Sequence, residues 1–221
     1  MKQINLDTID EYHKFFFHLV NWREDIVFLG VPILKNPLDL WTIQELINKN
    51  SPNVIIETGT AWGGSALFYS TFLQAQKSKG IVISVDIGKP YYIPIEYKQP
   101  IADNIFYIIG DSSIQETKQR AVEIIARYVQ EPRVMVLLDS NHSYEHVTKE
   151  LYLWQNLVTL DQYLIVEDTN TKLVLPEDET CNAGQAAQDW EKQTSMFLLD
   201  NKCAKEKWGF SFNNYYKKIR D

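Results

Sequence analysis

Cysteine is scarce in this chain: among 221 residues only Cys181 and Cys203 occur. Two thiols cannot build a disulfide framework, so a reducing cytoplasm is the expected compartment. Basic residues are outnumbered, 22 Lys and Arg against 29 Asp and Glu, for a formal net charge of -7. That balance argues against a general nucleic-acid binder and against a polybasic membrane surface. No apolar run approaches the roughly 20 residues of a membrane-spanning helix. The opening "MKQINLDTIDEYHKFF" carries acids where a secretory signal needs a clean apolar run. Internal repeats and low-complexity segments are missing. So are the G-x-G-x-x-G of dinucleotide folds and the H-E-x-x-H of zinc proteases, since "HSYEH" at 142–146 misplaces the glutamate. What these absences leave is a soluble globular protein without membrane insertion. Its composition, 45% apolar and 23% charged, is ordinary for that class, and its length suits one domain with a large core.

The first fifty residues read as helical and irregular, with a turn at Asn36-Pro37 and then an amphipathic helix. They form an N-terminal helical extension (1–50) expected to pack on a core domain (51–221). After Pro52 the rhythm changes. Short apolar, β-branched runs occur at 53–57, 81–86, 105–110, 133–139 and 162–168. Helical stretches alternate with them, including about Ser113 to Tyr128 and about Ser143 to Leu157. Continuous apolar runs alternating with helices predict parallel strands buried on both faces, hence an α/β sandwich. The tail "WGFSFNNYYKKI" alternates well enough to close the sheet as a strand. The segment "FFFHLVNW" can pack on the chain's own sheet or on a second subunit, which leaves a homo-oligomer open.

In open parallel sheets, ligands bind outside the carboxyl ends of the strands. The five runs end in Glu57, Asp86, Gly110-Asp111, Asp139 and Glu167-Asp168. Acids gathered at one sheet edge repel each other, an arrangement that folding alone does not favour and that a cationic ligand or metal makes reasonable. In "ETGTAWGGSA" (57–66), Gly59 permits a sharp turn after the strand, and Gly63-Gly64 let backbone approach a ligand at a helix start. Asp86 stands where a carboxylate accepts both hydroxyls of a ribose. Asp111 and Ser112 either cap the next helix or contact an adenine ring. Asp139, Glu167 and Asp168 end neighbouring strands, and an all-oxygen set suits a hard cation such as magnesium. The alternative is a set of structural salt bridges, against which no matching arginine cluster appears in the nearby sequence. His142 is a candidate general base, the alternative being a residue in the first turn of a helix capped by Asn141 or Ser143. His146 reads as packed or solvent-facing. Tyr91, Tyr92 and Trp62 are aromatic candidates for a pocket wall, although such residues usually pack.

Taken in order, "VPILKNPLDLWTIQELI", "VIIETGTAWGGSALFYS", "VISVDIG", "IGDSS", "LLDSNHSYEHVTKELYLW" and "LIVEDTN" resemble the cephalosporin hydroxylase family, from about residue 30 to the end. Despite its name, that family is similar to S-adenosylmethionine-dependent O-methyltransferases of the class I Rossmann-like fold, including the macrocin-type sugar methyltransferases. The resemblance implies a three-layer sandwich around a mostly parallel seven-stranded sheet, S-adenosylmethionine as donor and Mg2+ or another divalent cation. It places Glu57, Gly59, Thr60, Gly63 and Ser65 in the cofactor loop, Asp86 at the ribose and Asp111-Ser112 at the adenine. Asp139, Glu167 and Asp168 match the metal carboxylates, and His142 the catalytic base. After Thr169 the chain departs from the family's histidine- and glycine-bearing loop, reading "NTKLVLPEDETCNAGQAAQDW" instead, which bears on the acceptor.

The expected activity is metal-assisted methyl transfer to a hydroxyl of a sugar, glycoside or related small-molecule or glycan acceptor; a catechol-like diol would use the same metal chemistry. One rival takes the family name literally, as a non-haem iron hydroxylase. It needs two histidines and a carboxylate, and of His13, His18, His142 and His146 only His142 is well placed. A second rival, a non-catalytic partner subunit, predicts a degenerate cofactor loop, whereas Glu57, Gly59 and Gly63 are intact.

Overall fold

The computed structural model of the chain describes residues 6–22, 24–76, 80–89, 103–200, 209–211 and 214–221. Helix α1 (Leu6–Leu19) leads to a hairpin of two short strands, β1 (Val27–Phe28) and β2 (Val31–Pro32). Phe28 pairs with Val31, so Leu29 and Gly30 form a two-residue turn, both with positive φ, the conformation that tight hairpins require. This hairpin is absent from the sequence reading, because two-residue strands carry no periodicity. Helix α2 (Pro37–Asn50) begins where Asn36 accepts the Leu38 N–H at 2.9 Å and Pro37 presets the first turn. It ends at Ser51, which is left-handed.

The remaining elements alternate: β3 (Val54–Thr58), α3 (Gly64–Ala75), β4 (Ile81–Asp86), β5 (Ile105–Ile109), α4 (Gln115–Tyr128), β6 (Val134–Leu138), α5 (Tyr144–Trp154) and β7 (Tyr163–Val166). Then come α6 (Thr171–Val174), α7 (Ala183–Glu191), β8 (Phe197–Leu199) and β9 (Tyr215–Lys218). The expected seven-stranded sheet is present, in the order β5-β4-β3-β6-β7-β9-β8. Strands β3 to β7 pair in parallel, and β8 and β9 close the edge antiparallel. Of the tail expected to be strand, Tyr215–Lys218 pairs with β7 and β8, whereas residues 209–211 form a turn. Helix α4 starts two residues later than expected because Asp111 Oδ1 accepts from the Ser113 amide and hydroxyl, holding 111–113 in a turn.

Successive strand residues face opposite sides, which makes two cores and three layers. Ile56, Ile83, Val136 and Leu164 pack with Ala121, Leu151, Trp154 and Trp190 on one face. Ile55, Val82, Met135 and Ile165 pack with Ile43, Ile47, Tyr69 and Leu73 on the other. Helix α1 lies against α6, and His13 contacts both Asn170 and the Phe210 ring. Strand order reverses between β3 and β6, where open α/β sheets leave a crevice. Gly59 (φ +87°) sits at that reversal, and a Cβ there would lie 1.9 Å from the Asp139 carbonyl oxygen. Only glycine lets the two strand ends come so close. Among the described residues, no helix is long and apolar enough to cross a membrane.

Candidate active site

The strand ends of β3, β4, β5, β6 and β7 surround a cavity of about 470 Å³. Its walls include Gly59, Asp86, Asp111, Ser112, Asp139, His142, His146 and Asp168. The loop after β3 is fastened by Asp86, whose Oδ2 accepts from the Thr60 and Ala61 amides at 2.8 and 3.1 Å and whose Oδ1 accepts from Gly88. Asp111 stays ionised below the usual carboxylate range because the Ser113 amide and hydroxyl donate to it.

Glu57 lies behind the wall rather than in it. It is fully buried, accepts the Ser84 hydroxyl at 2.8 Å, and through Ser84 connects to Thr60, 2.6 Å farther on. Burial, opposed by Lys35 and the Ser65 and Ser84 hydroxyls, pushes its carboxyl up to about 7. An unfolded glutamate titrates at about 4.3, so the folded chain holds this proton more tightly. The stability that Glu57 contributes is full below about pH 4.3 and is lost as pH rises through about 7, a loss of about 3–4 kcal/mol. Urea unfolding of Glu57→Gln at pH 5, 6, 7 and 8 is expected to show a shallower decline with pH than the wild type. Parallel curves would refute this placement of the proton.

Ser112, Ser140, His146 and Glu150 form a second network on the cavity floor. Ser112 Oγ lies 3.2 Å from Ser140 Oγ and 3.1 Å from His146 Nε2, and Ser140 donates to the buried Glu150 at 2.8 Å. The Glu150 carboxylate raises the His146 imidazole above its ordinary range. Expected to pack or face solvent, His146 instead lines the cavity, and nothing in its helical spacing distinguishes those outcomes.

At the switch point the acids divide. Asp139 and Asp168 reach the cavity, and Glu167 does not. Lys35 takes Glu167: its Nζ lies 2.9 Å from Glu167 Oε1 and 2.6 Å from Asp139 Oδ2. Burial works against the Lys35 charge, yet the two carboxylates outweigh it and hold the ammonium well above its ordinary range. Lys35 lies 104 residues from Asp139, so no local reading of the acids finds it; the available signal is a lone lysine directly after the apolar run "VPIL". Asp168 has φ +50°, a left-handed conformation that aspartate tolerates. Its Oδ2 lies 3.5 Å from His142 Nε2. Enclosure raises the Asp168 pKa, and the His142 imidazole opposes that rise.

Asp139, His142 and Asp168 thus each offer a ligand atom, and all of these lie within 4.8 Å of one another. Two carboxylates that converge beside an imidazole suit a divalent cation, and a hard one would take the oxygens. The donor set is not the two-histidine triad of an iron oxygenase, because His146 Nε2 is engaged by Ser112 and Ser140 at 3.1 Å. Thr60 and Ser65 border a small adjoining cleft with Trp62, Gly63 caps α3, and Tyr91 and Tyr92 lie outside the described residues.

A family model described as Rhamnosyl O-methyltransferase/CmcI matches residues 20–219. The chain is 32% identical over 207 residues to a rhamnosyl O-methyltransferase of Mycobacterium leprae (strain TN), covering 92% of this chain and 86% of that one. Among solved structures it resembles CmcI with Mg and SAM (TM-score 0.65, 15% identity, 99% of this chain, 86% of that one). It also resembles the MycE methyltransferase of the mycinamycin pathway in complex with Mg, SAH and mycinamycin VI (TM-score 0.55, 17% identity, 96% and 53%). At these identities the two structures show a shared fold.

Proposed function

Because the chain belongs to the Rhamnosyl O-methyltransferase/CmcI family, we propose that it moves a methyl group from S-adenosylmethionine to a sugar hydroxyl, with Mg2+ held by Asp139 and Asp168. The observation that carries this reading is the convergence of Asp139, His142 and Asp168 at the mouth of a cavity of about 470 Å³. Asp86, Asp111, Asp139 and Asp168 give that cavity an acidic wall, which favours a cationic sulfonium and a divalent metal over an anionic ligand.

When bound, S-adenosylmethionine supplies a methyl group on positively charged sulfur, and Mg2+ supplies positive charge against the acceptor oxygen. The chain's own work is to position the acceptor and to take its proton. His142 Nε2 faces Asp168 at 3.5 Å, so the imidazolium formed when it accepts the hydroxyl proton is stabilised by that carboxylate. Transfer would join the acceptor oxygen to the methyl carbon and leave S-adenosylhomocysteine as the other product, with the hydroxyl proton held on His142. Magnesium's preference for oxygen leaves His142 free for the proton. Lys35 holds Asp139 in place, and Asp86 fixes the loop at 60–61, so the two reactants meet in a prepared geometry.

The test is methyl transfer from S-adenosylmethionine to a panel of glycosides, with and without EDTA. Wild-type turnover is expected to disappear with EDTA and return with Mg2+. His142→Ala is expected to lower kcat by about 10²–10⁴-fold while S-adenosylhomocysteine affinity stays within about twofold. Unchanged kcat in that variant would remove His142 as the base, and full activity in EDTA would remove the metal.

A further inference from the structure

A second cavity, of about 310 Å³, opens beside the first, and four of its lining residues are aromatic: Phe17, Trp22, Trp62 and Phe210. They come from the end of α1, the turn after it, the loop after β3, and the segment before β9. Leu34 and Asp168 line both cavities, so the Asp168 carboxylate stands at their junction, 3.5 Å from His142. The aromatic wall is held by specific contacts. Trp22 packs on Phe17 and Phe210 with ring centroids 6.2 and 6.1 Å apart, and its indole N–H donates to the Phe17 carbonyl at 3.3 Å. Phe210 donates its amide to the buried Asp39 at 2.6 Å and accepts the Thr169 hydroxyl at 3.1 Å. Asp39 also accepts from Ser211 and from the Tyr215 hydroxyl. A buried carboxylate with three donors thus fixes one wall of this chamber.

Resting on the methyltransferase reading above, we propose that the aromatic chamber is the acceptor seat and that it selects a neutral glycoside over an anionic nucleoside-diphosphate sugar. Aromatic faces carry negative charge density and attract the polarised C–H face of a pyranose ring. The ring's opposite edge, bearing the hydroxyls, then meets Asp168 and His142. A pocket with apolar walls and a few convergent polar groups is the usual form of a small-molecule site. The two polar lining residues are Asn36 and Asp168, and no lysine or arginine is among the described residues that line the chamber, so its wall offers a diphosphate no cationic side chain. Thr169, the last residue before the chain departs from the family pattern, anchors Phe210.

The test measures binding and turnover separately, in the presence of S-adenosylhomocysteine for the former. Methyl α-L-rhamnoside is the neutral probe and TDP-rhamnose the anionic one, followed by saturation-transfer NMR. Wild-type protein is expected to bind the rhamnoside, and to prefer it in kcat/KM by at least about tenfold. Trp22→Ala is expected to raise its Kd and KM about tenfold, equivalent to about 1.4 kcal/mol of lost stacking, with kcat and S-adenosylhomocysteine affinity within about twofold. Trp22→Phe is expected to recover most of that loss. A rhamnoside Kd unchanged in Trp22→Ala, no rhamnoside binding to the wild type, or preference for TDP-rhamnose would each overturn the inference. Rhamnoside binding that depends on Trp22 without any methyl transfer would keep the chamber and refute the activity.

Discussion

Asp139→Asn is expected to lower kcat/KM for methyl transfer by about 10³-fold, the scale on which removal of a single well-placed electrostatic group acts. Asp139 is the one carboxylate that touches both systems at the switch point. It pairs with Lys35 at 2.6 Å, and it contributes a ligand atom to the cluster with His142 and Asp168. The amide keeps the side chain's shape and removes its charge, leaving one carboxylate, Asp168, in the cluster. On the proposed assignment only one anionic oxygen ligand would remain for the metal, and the acceptor hydroxyl would lose the neighbour that favours its ionisation. Mn2+ titration followed by electron paramagnetic resonance supplies the second readout, with affinity expected to fall at least tenfold. Wild-type Mn2+ affinity in Asp139→Asn would refute the ligand assignment whatever the activity did.

The largest effect on stability is expected from Lys35→Met, at about 3–5 kcal/mol in urea unfolding at neutral pH. Lys35 is buried between Asp139 and Glu167, and Glu167 is itself almost fully enclosed. Methionine fills much of the same volume, so little of the loss comes from a cavity. The cost comes from leaving two carboxylates in a poorly hydrated place with no countercharge. Lys35→Met/Glu167→Gln removes one of those charges and is expected to recover more than half of the loss. Should the double variant be no more stable than the single one, the charge argument would fail and packing would have to account for the effect. Added Mg2+ is also expected to stabilise Lys35→Met more than wild type, since a cation at Asp139 partly replaces the missing one.

The two variants mark the boundary between what is local in this chain and what is not. Asp86, Asp111, Asp139 and Asp168 are legible as site residues because each follows a short apolar run, and parallel strands deliver their ends to one edge. The pair Glu167-Asp168 is different. Adjacent residues at a strand end point to opposite sides, and their order alone does not say which faces the cavity. Packing against Lys35 and the left-handed backbone at Asp168 decide it. Glu57 is similar: its motif is plain, yet its side chain is buried against Ser84 rather than placed on the cavity wall. The aromatic chamber was the least accessible to reading, because Phe17, Trp22, Trp62 and Phe210 belong to three distant stretches. An aromatic residue in sequence looks the same whether it fills a core or lines a pocket.

By itself, then, the sequence determined the alternation of strand and helix, the sheet edge at which chemistry gathers, the acids and histidine found there, and the resemblance to a methyltransferase family. Those follow from short-range rules of periodicity, turn-forming glycine and strand polarity. Only the tertiary structure decided that Lys35 neutralises Glu167, that His146 joins a serine network on the cavity floor, and that four aromatic rings meet beside Asp168. Each of these rests on contacts between residues far apart in the chain, whose meeting depends on how the layers pack.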